Sequence, residues 1–175
     1  MNSIATASSS CVAEGYPLIP EELPAVFRAA MRRLAASVAV VAARGENGPV
    51  GMAATSVTSL TIDPPAVLIC VNRATALHGL LVPTAPISVN LLSRGQQVVS
   101  AAFGGGTPQD ERFEVGEWRE GMGGIPELVG AQANLACVID AMLAYGTHSI
   151  VIARVLAAKT SDEVAPLIYQ DGAYL

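Results

Sequence analysis

The densest concentration of potential chemistry lies between Gly51 and Asn72. One charged residue, Asp63, is outnumbered there by the hydroxyls of Thr55, Ser56, Thr58, Ser59 and Thr61. On an extended chain Thr55, Val57, Ser59 and Thr61 face one side and Ser56 with Thr58 the other, so hydroxyls project both ways. Hydroxyls and free backbone N–H groups, with the cation Arg73 close in sequence, can hold a phosphate without a glycine-rich loop. The same residues also suit ordinary strand and turn. Gly51 permits close backbone approach to a planar ring, as it also permits a bulge. Asn72 follows one strand-like run and Asn90 ends another. Each is either a turn former or an amide offering donor and acceptor to a heterocycle edge. His148, in a turn beside Gly146, is either solvated or set over a barrel mouth, where an imidazole positions a substrate or moves a proton. His78 has the weaker case, facing solvent or phosphate. There is no GxSxG, HExxH or triad, and Gly104-Gly105-Gly106 does not follow a strand. Cys11, Cys70 and Cys137 are scattered and form no CxxC pair, so no metal site is expected and free core thiols are the simplest reading.

The elements that position these residues follow from periodicity. Val26, Phe27, Met31 and Leu34 fall at helical spacing, with Glu21 and Glu22 in the first turn and Arg28, Arg32 and Arg33 further on, the charge order that suits a helix dipole. Val38 to Val41 reads as a buried strand, and Gly45-Glu46-Asn47-Gly48 turns it into a hairpin whose return begins at Val50. Ala66 to Val71 has a central-strand pattern. Residues 74–81 suit a short helix, Ile87 to Leu91 a strand and Gln96 to Phe103 a helix. The charge cluster from Asp110 to Glu120 reads as solvated surface. Leu135, Cys137, Ile139, Ala141 and Leu143 alternate, and after Tyr145-Gly146-Thr147-His148 the pattern resumes through Ile150, Ile152 and Val155, predicting an antiparallel pair. Ile168 and Tyr169 add a last strand. The small, polar residues 1–16 read as a loosely held tail and 17–175 as one mainly β domain with few helices, a closed or nearly closed antiparallel barrel.

Composition narrows the partners. Of 175 residues 51% are hydrophobic and 14% charged, and the net charge of −5 argues against nucleic acid as a partner. No run approaches the ~20 apolar residues of a membrane span, and the first fourteen residues lack the basic start and apolar stretch of a signal peptide. A cytoplasmic protein away from membranes is expected. The apolar excess implies either a second subunit or a cofactor wall.

The stretch Gly51-Met52-Ala53-Ala54-Thr55-Ser56-Val57-Thr58-Ser59-Leu60-Thr61-Ile62-Asp63-Pro64-Pro65, running on through Val67-Leu68-Ile69-Cys70-Val71-Asn72-Arg73, resembles the characteristic segment of the short-chain flavin reductases, the reductase components of two-component flavin-dependent monooxygenases. Phe27 to Arg33 resembles that family's leading helix, Ser88-Val89-Asn90-Leu91-Leu92 its next strand, and Gly146-Thr147-His148-Ser149 with Pro166 to Tyr174 its closing motifs. The resemblance implies a Greek-key, antiparallel FMN-binding split β-barrel with flanking helices, working as a homodimer. It implies hydride transfer from NADH or NADPH to FMN or FAD, the reduced flavin leaving for a partner monooxygenase. By the same resemblance Met52, Ala54, Thr55 and Ser56 line the isoalloxazine, and Ser59, Thr61, Arg73 and Thr75 lie toward the phosphate. Cys70, Val71, Asn72 and Asn90 complete the wall, and His148 faces the nicotinamide. Many relatives carry Asp where this chain has Thr147, which leaves pyridine-nucleotide preference open. A non-enzymatic flavin carrier of the same fold, or a dimerisation module, are the competing readings.

Overall fold

β-Branched and small apolar runs make strand the dominant regular structure of the described residues. The computed structural model describes residues 20–175, so the tail expected over 1–16 and Cys11 lie outside the described residues. In chain order the elements are α1 (Leu23–Met31), β1 (Ala36–Ser37), β2 (Ala39–Gly45), β3 (Gly48–Ala54), β4 (Val57–Ile62) and β5 (Pro65–Asn72), then the first of three short 3-10 turns (Leu77–Leu80). β6 (Pro86–Leu91), α2 (Gln97–Ala101), β7 (Trp118–Glu120), β8 (Pro126–Leu128), β9 (Ala133–Tyr145), β10 (His148–Thr160), β11 (Ile168–Gln170) and β12 (Ala173–Tyr174) follow.

Seven strands form one antiparallel sheet in the order β3-β2-β6-β9-β10-β5-β4. Inward residues of these strands meet in one core: Val41, Ala54, Ile69, Val89, Cys137 and Val151 are buried there, with Val57 packed against them. That convergence requires the sheet to curl. Its two outer strands, β3 and β4, are consecutive in sequence and joined by Thr55-Ser56 alone. The chain itself therefore brings the edges together at one corner, although the two strands do not pair with each other. This is the expected split barrel.

A second core lies outside the barrel, where α2 and the turn after it press Phe103 against Val38, Val40, Leu128 and Leu167. Phe103 meets Phe113 and Trp118 at centroid distances of 5.0 and 5.2 Å. The planar ring that approaches Gly51 is therefore Phe103: a Cβ at Gly51 would lie 2.8 Å from its ring. The 110–120 cluster is accordingly only half solvated. Its acidic residues are exposed, but Phe113 and Trp118 are half-buried, and Arg112 donates to the backbone carbonyls of Gly51 and Thr107.

Two other expectations are corrected. β4 has a bulge between Ser59 and Thr61: Ser59 pairs with Val67 and Thr61 with Ala66, so the two hydroxyls point to opposite faces. β9 has one at Asp140, since Ile139 pairs with Ala153 while Ala141 pairs with Ile152. The inward set Leu135, Cys137, Ile139 thus passes to Met142, and Ala141, Leu143, Ile150 and Ile152 turn to the outer face. The expected helix α1 forms, with Glu22 at its cap, but buries no residue; Val26 and Phe27 are each 61% exposed.

Candidate functional site

The barrel corner is fixed by Ser56. Its carbonyl accepts the Cys70 N–H at 3.1 Å and its hydroxyl donates to the Cys70 carbonyl at 2.9 Å. Register then dictates what lies beside it. Even-numbered residues of β5, and of β10 as far as Arg154, face outward, Cys70 opposite Ile150 and Asn72 opposite His148; on β9, Leu143 and Tyr145 continue the same rows. The outer wall is uncharged from Ser56 through Cys70 and Ile150 to Leu143, and polar at its end, where Asn72 and His148 sit.

Beyond those strand ends Asn72, Arg73, Ala74, His78, Gly146 and Thr147 line an open cavity of about 510 Å³. Local hydrogen bonds set its rim. Asn72 Oδ1 accepts the Ala74 N–H at 2.9 Å, Thr75 donates its hydroxyl to the Asn72 carbonyl at 2.8 Å, and the Arg73 N–H donates to the Thr147 carbonyl at 3.0 Å. The Arg73 guanidinium reaches the Gly146 carbonyl at 3.4 Å, beyond good hydrogen-bond length, which leaves it free for an anion. His78 is anchored through Nε2, 2.9 Å from the hydroxyl of buried Ser149, and His148 Nδ1 lies 2.9 Å from the Thr147 hydroxyl.

On the other side of the corner Thr55 joins two grooves. One, of about 300 Å³, runs between Thr55, Ser100, Tyr169 and Tyr174, the tyrosine rings meeting edge to face. The other, of about 440 Å³, lies between Thr55, Ser56 and Tyr169 and the arginines of α1. Thr55, Ser56, Cys70, Asn72, Arg73, Thr75 and His148 thus share one rim of the barrel, with Ala54 contributing to a groove beside it.

Five expected residues stand elsewhere. Asn90 is wholly buried and saturated, donating to the Val40 carbonyl and Ser88 Oγ and accepting from Leu128 N–H and Asn134 Nδ2. An amide so occupied has nothing left for a flavin. Val71 is buried in the barrel core, and Met52 packs against that core rather than lining a groove. Thr61 closes the β4–β5 turn through Asp63 O and N, both at 3.2 Å. Opposite Ala66 it is about 20 Å along β5 from Asn72 at ~3.3 Å per residue, too far to share a phosphate with Arg73 in one chain. Ser59, at its bulge, is exposed two residues nearer the corner. The sequence singles out neither Ser100 nor Tyr174, and leaves His78 between solvent and phosphate. Only pairing and long-range packing bring them in, and the Tyr174 hydroxyl is bonded to Ser100 at 2.9 Å.

Two ionisable groups away from this rim are structural. Burial pushes the Glu127 carboxyl up, but hydrogen bonds from Lys159 and Arg119, with their charges, outweigh it and hold it below the ordinary value. Burial pushes the Cys137 thiol up to about 12. Among the described residues no His, Cys, Asp and Glu cluster could hold a metal, and no helix is long and apolar enough to cross a membrane.

Residues 31–175 match the flavin reductase like domain family. The chain is 39% identical over 159 residues to the reductase component of the FADH(2)-dependent resorcinol hydroxylase of Rhizobium sp. strain MTP-10005, covering 90% of this chain and 89% of that protein. It is 36% identical over 148 residues to the FMN reductase (NADH) RutF of Cronobacter sakazakii, covering 85% and 89%. Among solved structures it superposes with a TM-score of 0.81, at 27% identity and over 91% of this chain and 96% of the other, on the NADH:FAD oxidoreductase SgcE6 of Streptomyces globisporus C-1027 in complex with NAD and FAD fragments.

Proposed function

The chain belongs to the flavin reductase like domain family, and from that premise we propose that it oxidises NADH or NADPH, reduces FMN or FAD at the Thr55-Ser56 corner, and hands the reduced flavin to a partner monooxygenase. The observation that carries the reading is the sequence of environments along one rim: hydroxyls and backbone at the corner, the uncharged Cys70 wall, then Arg73 and His78 around an open cavity. That donor set fits the group. A planar heterocycle suits an uncharged wall with a few polar groups, and a terminal phosphate suits a guanidinium and an imidazole beside exposed backbone.

A bound flavin supplies acceptance of a hydride as its chemistry. The residues have the remaining tasks. Thr55 and Ser56 orient the ring edge, Cys70 and Asn72 flank the chain that leads from it, and Arg73 and His78 hold the phosphate, with Thr75 bracing the turn that carries them through its bond to the Asn72 carbonyl. His148, braced by Thr147, positions the nicotinamide. No acid–base pair is required. The cavity is open, which favours exchange of the flavin rather than permanent retention.

The same reading makes the active species a homodimer. Leu143 and Tyr145 are 44% and 78% exposed, and a second copy of this chain is the occupant that would cover this uncharged face. Free thiols at Cys70 and Cys137 support work in the reducing cytoplasm.

Purified protein supplied with each nicotinamide, with FMN, FAD or neither, tests the proposal. Nicotinamide oxidation that depends on added flavin is expected. Flavin binding without oxidation would leave a carrier, and neither would leave a dimerisation module. His148→Ala is expected to raise KM for the nicotinamide; unchanged kinetics would remove His148 from the site.

A further inference from the structure

We propose that the groove between α1 and the β11–β12 turn binds the adenosine diphosphate half of a dinucleotide. The inference rests on the reductase reading for its biological meaning, and on the groove itself for its chemistry. Arg28 and Arg32 lie one helical turn apart, and both line the groove. Two guanidinium forks one turn apart match the two negative charges of a pyrophosphate, which arginine binds in bidentate fashion. Met31, Leu34 and Ala36 supply apolar lining of the kind a purine takes.

Among the described residues neither arginine is held in a close ion pair, although Asp171 also lines the groove. Arg32 Nε stands 3.9 Å from Asp171 Oδ1, with the two side chains 57% and 69% exposed. That is a loose surface pair, well beyond the ~2.8 Å of a charge-assisted hydrogen bond. The turn that carries Asp171 is nevertheless pinned to the helix end: its N–H donates to the Arg32 carbonyl at 3.1 Å, and Gln170 Nε2 donates to the Arg33 carbonyl at 3.0 Å. Space for the guanidinium is made by a glycine. A Cβ at Gly172 would lie 2.8 Å from Arg32 Nη2, and its φ of +86° independently favours glycine. The groove opens onto the corner, since Thr55, Ser56 and Tyr169 line it and Thr55 with Tyr169 line the neighbouring groove too. An adenosine diphosphate seated there would have its remaining half directed toward Thr55.

NAD(P)H and FAD both carry this group, and the test separates them. Calorimetric titration with ADP, without flavin or nicotinamide, is expected to show binding that weakens about tenfold or more in Arg28→Gln/Arg32→Gln. Arg33→Gln, in the turn just past the helix and outside the groove, should leave it unchanged. With FMN as acceptor, a raised KM for NADH together with an unchanged KM for reduced nicotinamide mononucleotide, which lacks the adenosine diphosphate, identifies the hydride donor as the occupant. A raised KM for FAD with both FMN and NADH unaffected identifies the acceptor. No ADP binding by the wild type, or equal binding by the double variant, overturns the inference. ADP binding that depends on the arginines in a protein that oxidises no nicotinamide supports the groove and counts against the reductase reading alone.

Discussion

Replacing Asn90 with alanine distinguishes a flavin-wall residue from a core residue. The resemblance sets Asn90 beside the flavin; the structure places it at zero exposure with four side-chain hydrogen bonds. Two of its partners keep other bonds: Ser88 Oγ donates to the Pro126 carbonyl and Asn134 Nδ2 to the Leu128 carbonyl. The loss therefore concentrates on the Leu128 N–H, which is left without its side-chain acceptor in a residue of zero exposure. An orphaned buried donor costs about 1–3 kcal/mol, and loss of the bond to the Val40 carbonyl brings the total to about 3 kcal/mol. For a chain of this size that lowers the melting temperature by about 6–12 °C. Thermal unfolding at fixed protein concentration, beside steady-state KM for flavin below the transition, reads both quantities. A lower melting temperature with unchanged flavin KM is expected. An unchanged melting temperature with flavin KM raised tenfold would refute the assignment of Asn90 to the core.

Gly51→Ala should destabilise by about 1–3 kcal/mol in urea unfolding, because its Cβ would overpack the Phe103 and Phe113 rings. Glu127→Gln should be less stable than wild type at neutral pH. The wild-type carboxyl is held below its ordinary value when folded, so its contribution is present above the ordinary carboxylate pKa and disappears as pH falls through the lowered one; stability curves for the two proteins should converge in acid. In a Cys11→Ser background a thiol reagent at mildly alkaline pH should label half-buried Cys70 and spare Cys137, whose thiol is pushed up to about 12. Added FMN should slow the labelling of Cys70.

Much of the barrel is legible in periodicity. Buried β5 and β6 announce themselves as apolar runs, and the β9–β10 hairpin by alternation around Gly146. What alternation cannot reveal is a single inserted residue. The bulges at Leu60 and Asp140 each reverse a face, separating Ser59 from Thr61 and turning Leu143 outward. The corner residues Thr55 and Ser56 were legible because hydroxyls without charge are unusual in so apolar a stretch. Asn90 was misplaced because a strand-end amide has the same local sequence whether its partners are a ligand or the Leu128 backbone, and that partner lies 38 residues away. The aromatic residues within the 110–120 cluster were masked by their acidic neighbours, and Phe103, Phe113 and Trp118 meet only after α2 has folded back.

The most direct measurement is anaerobic. Protein in catalytic amount is mixed with excess flavin and NADH on one side of a membrane that passes flavin but not protein, and the absorbance of oxidised flavin is followed on both sides. The account predicts bleaching at a rate proportional to protein, with reduced flavin arriving in the protein-free compartment. Bleaching no faster than in a protein-free control, although flavin binds, would contradict it.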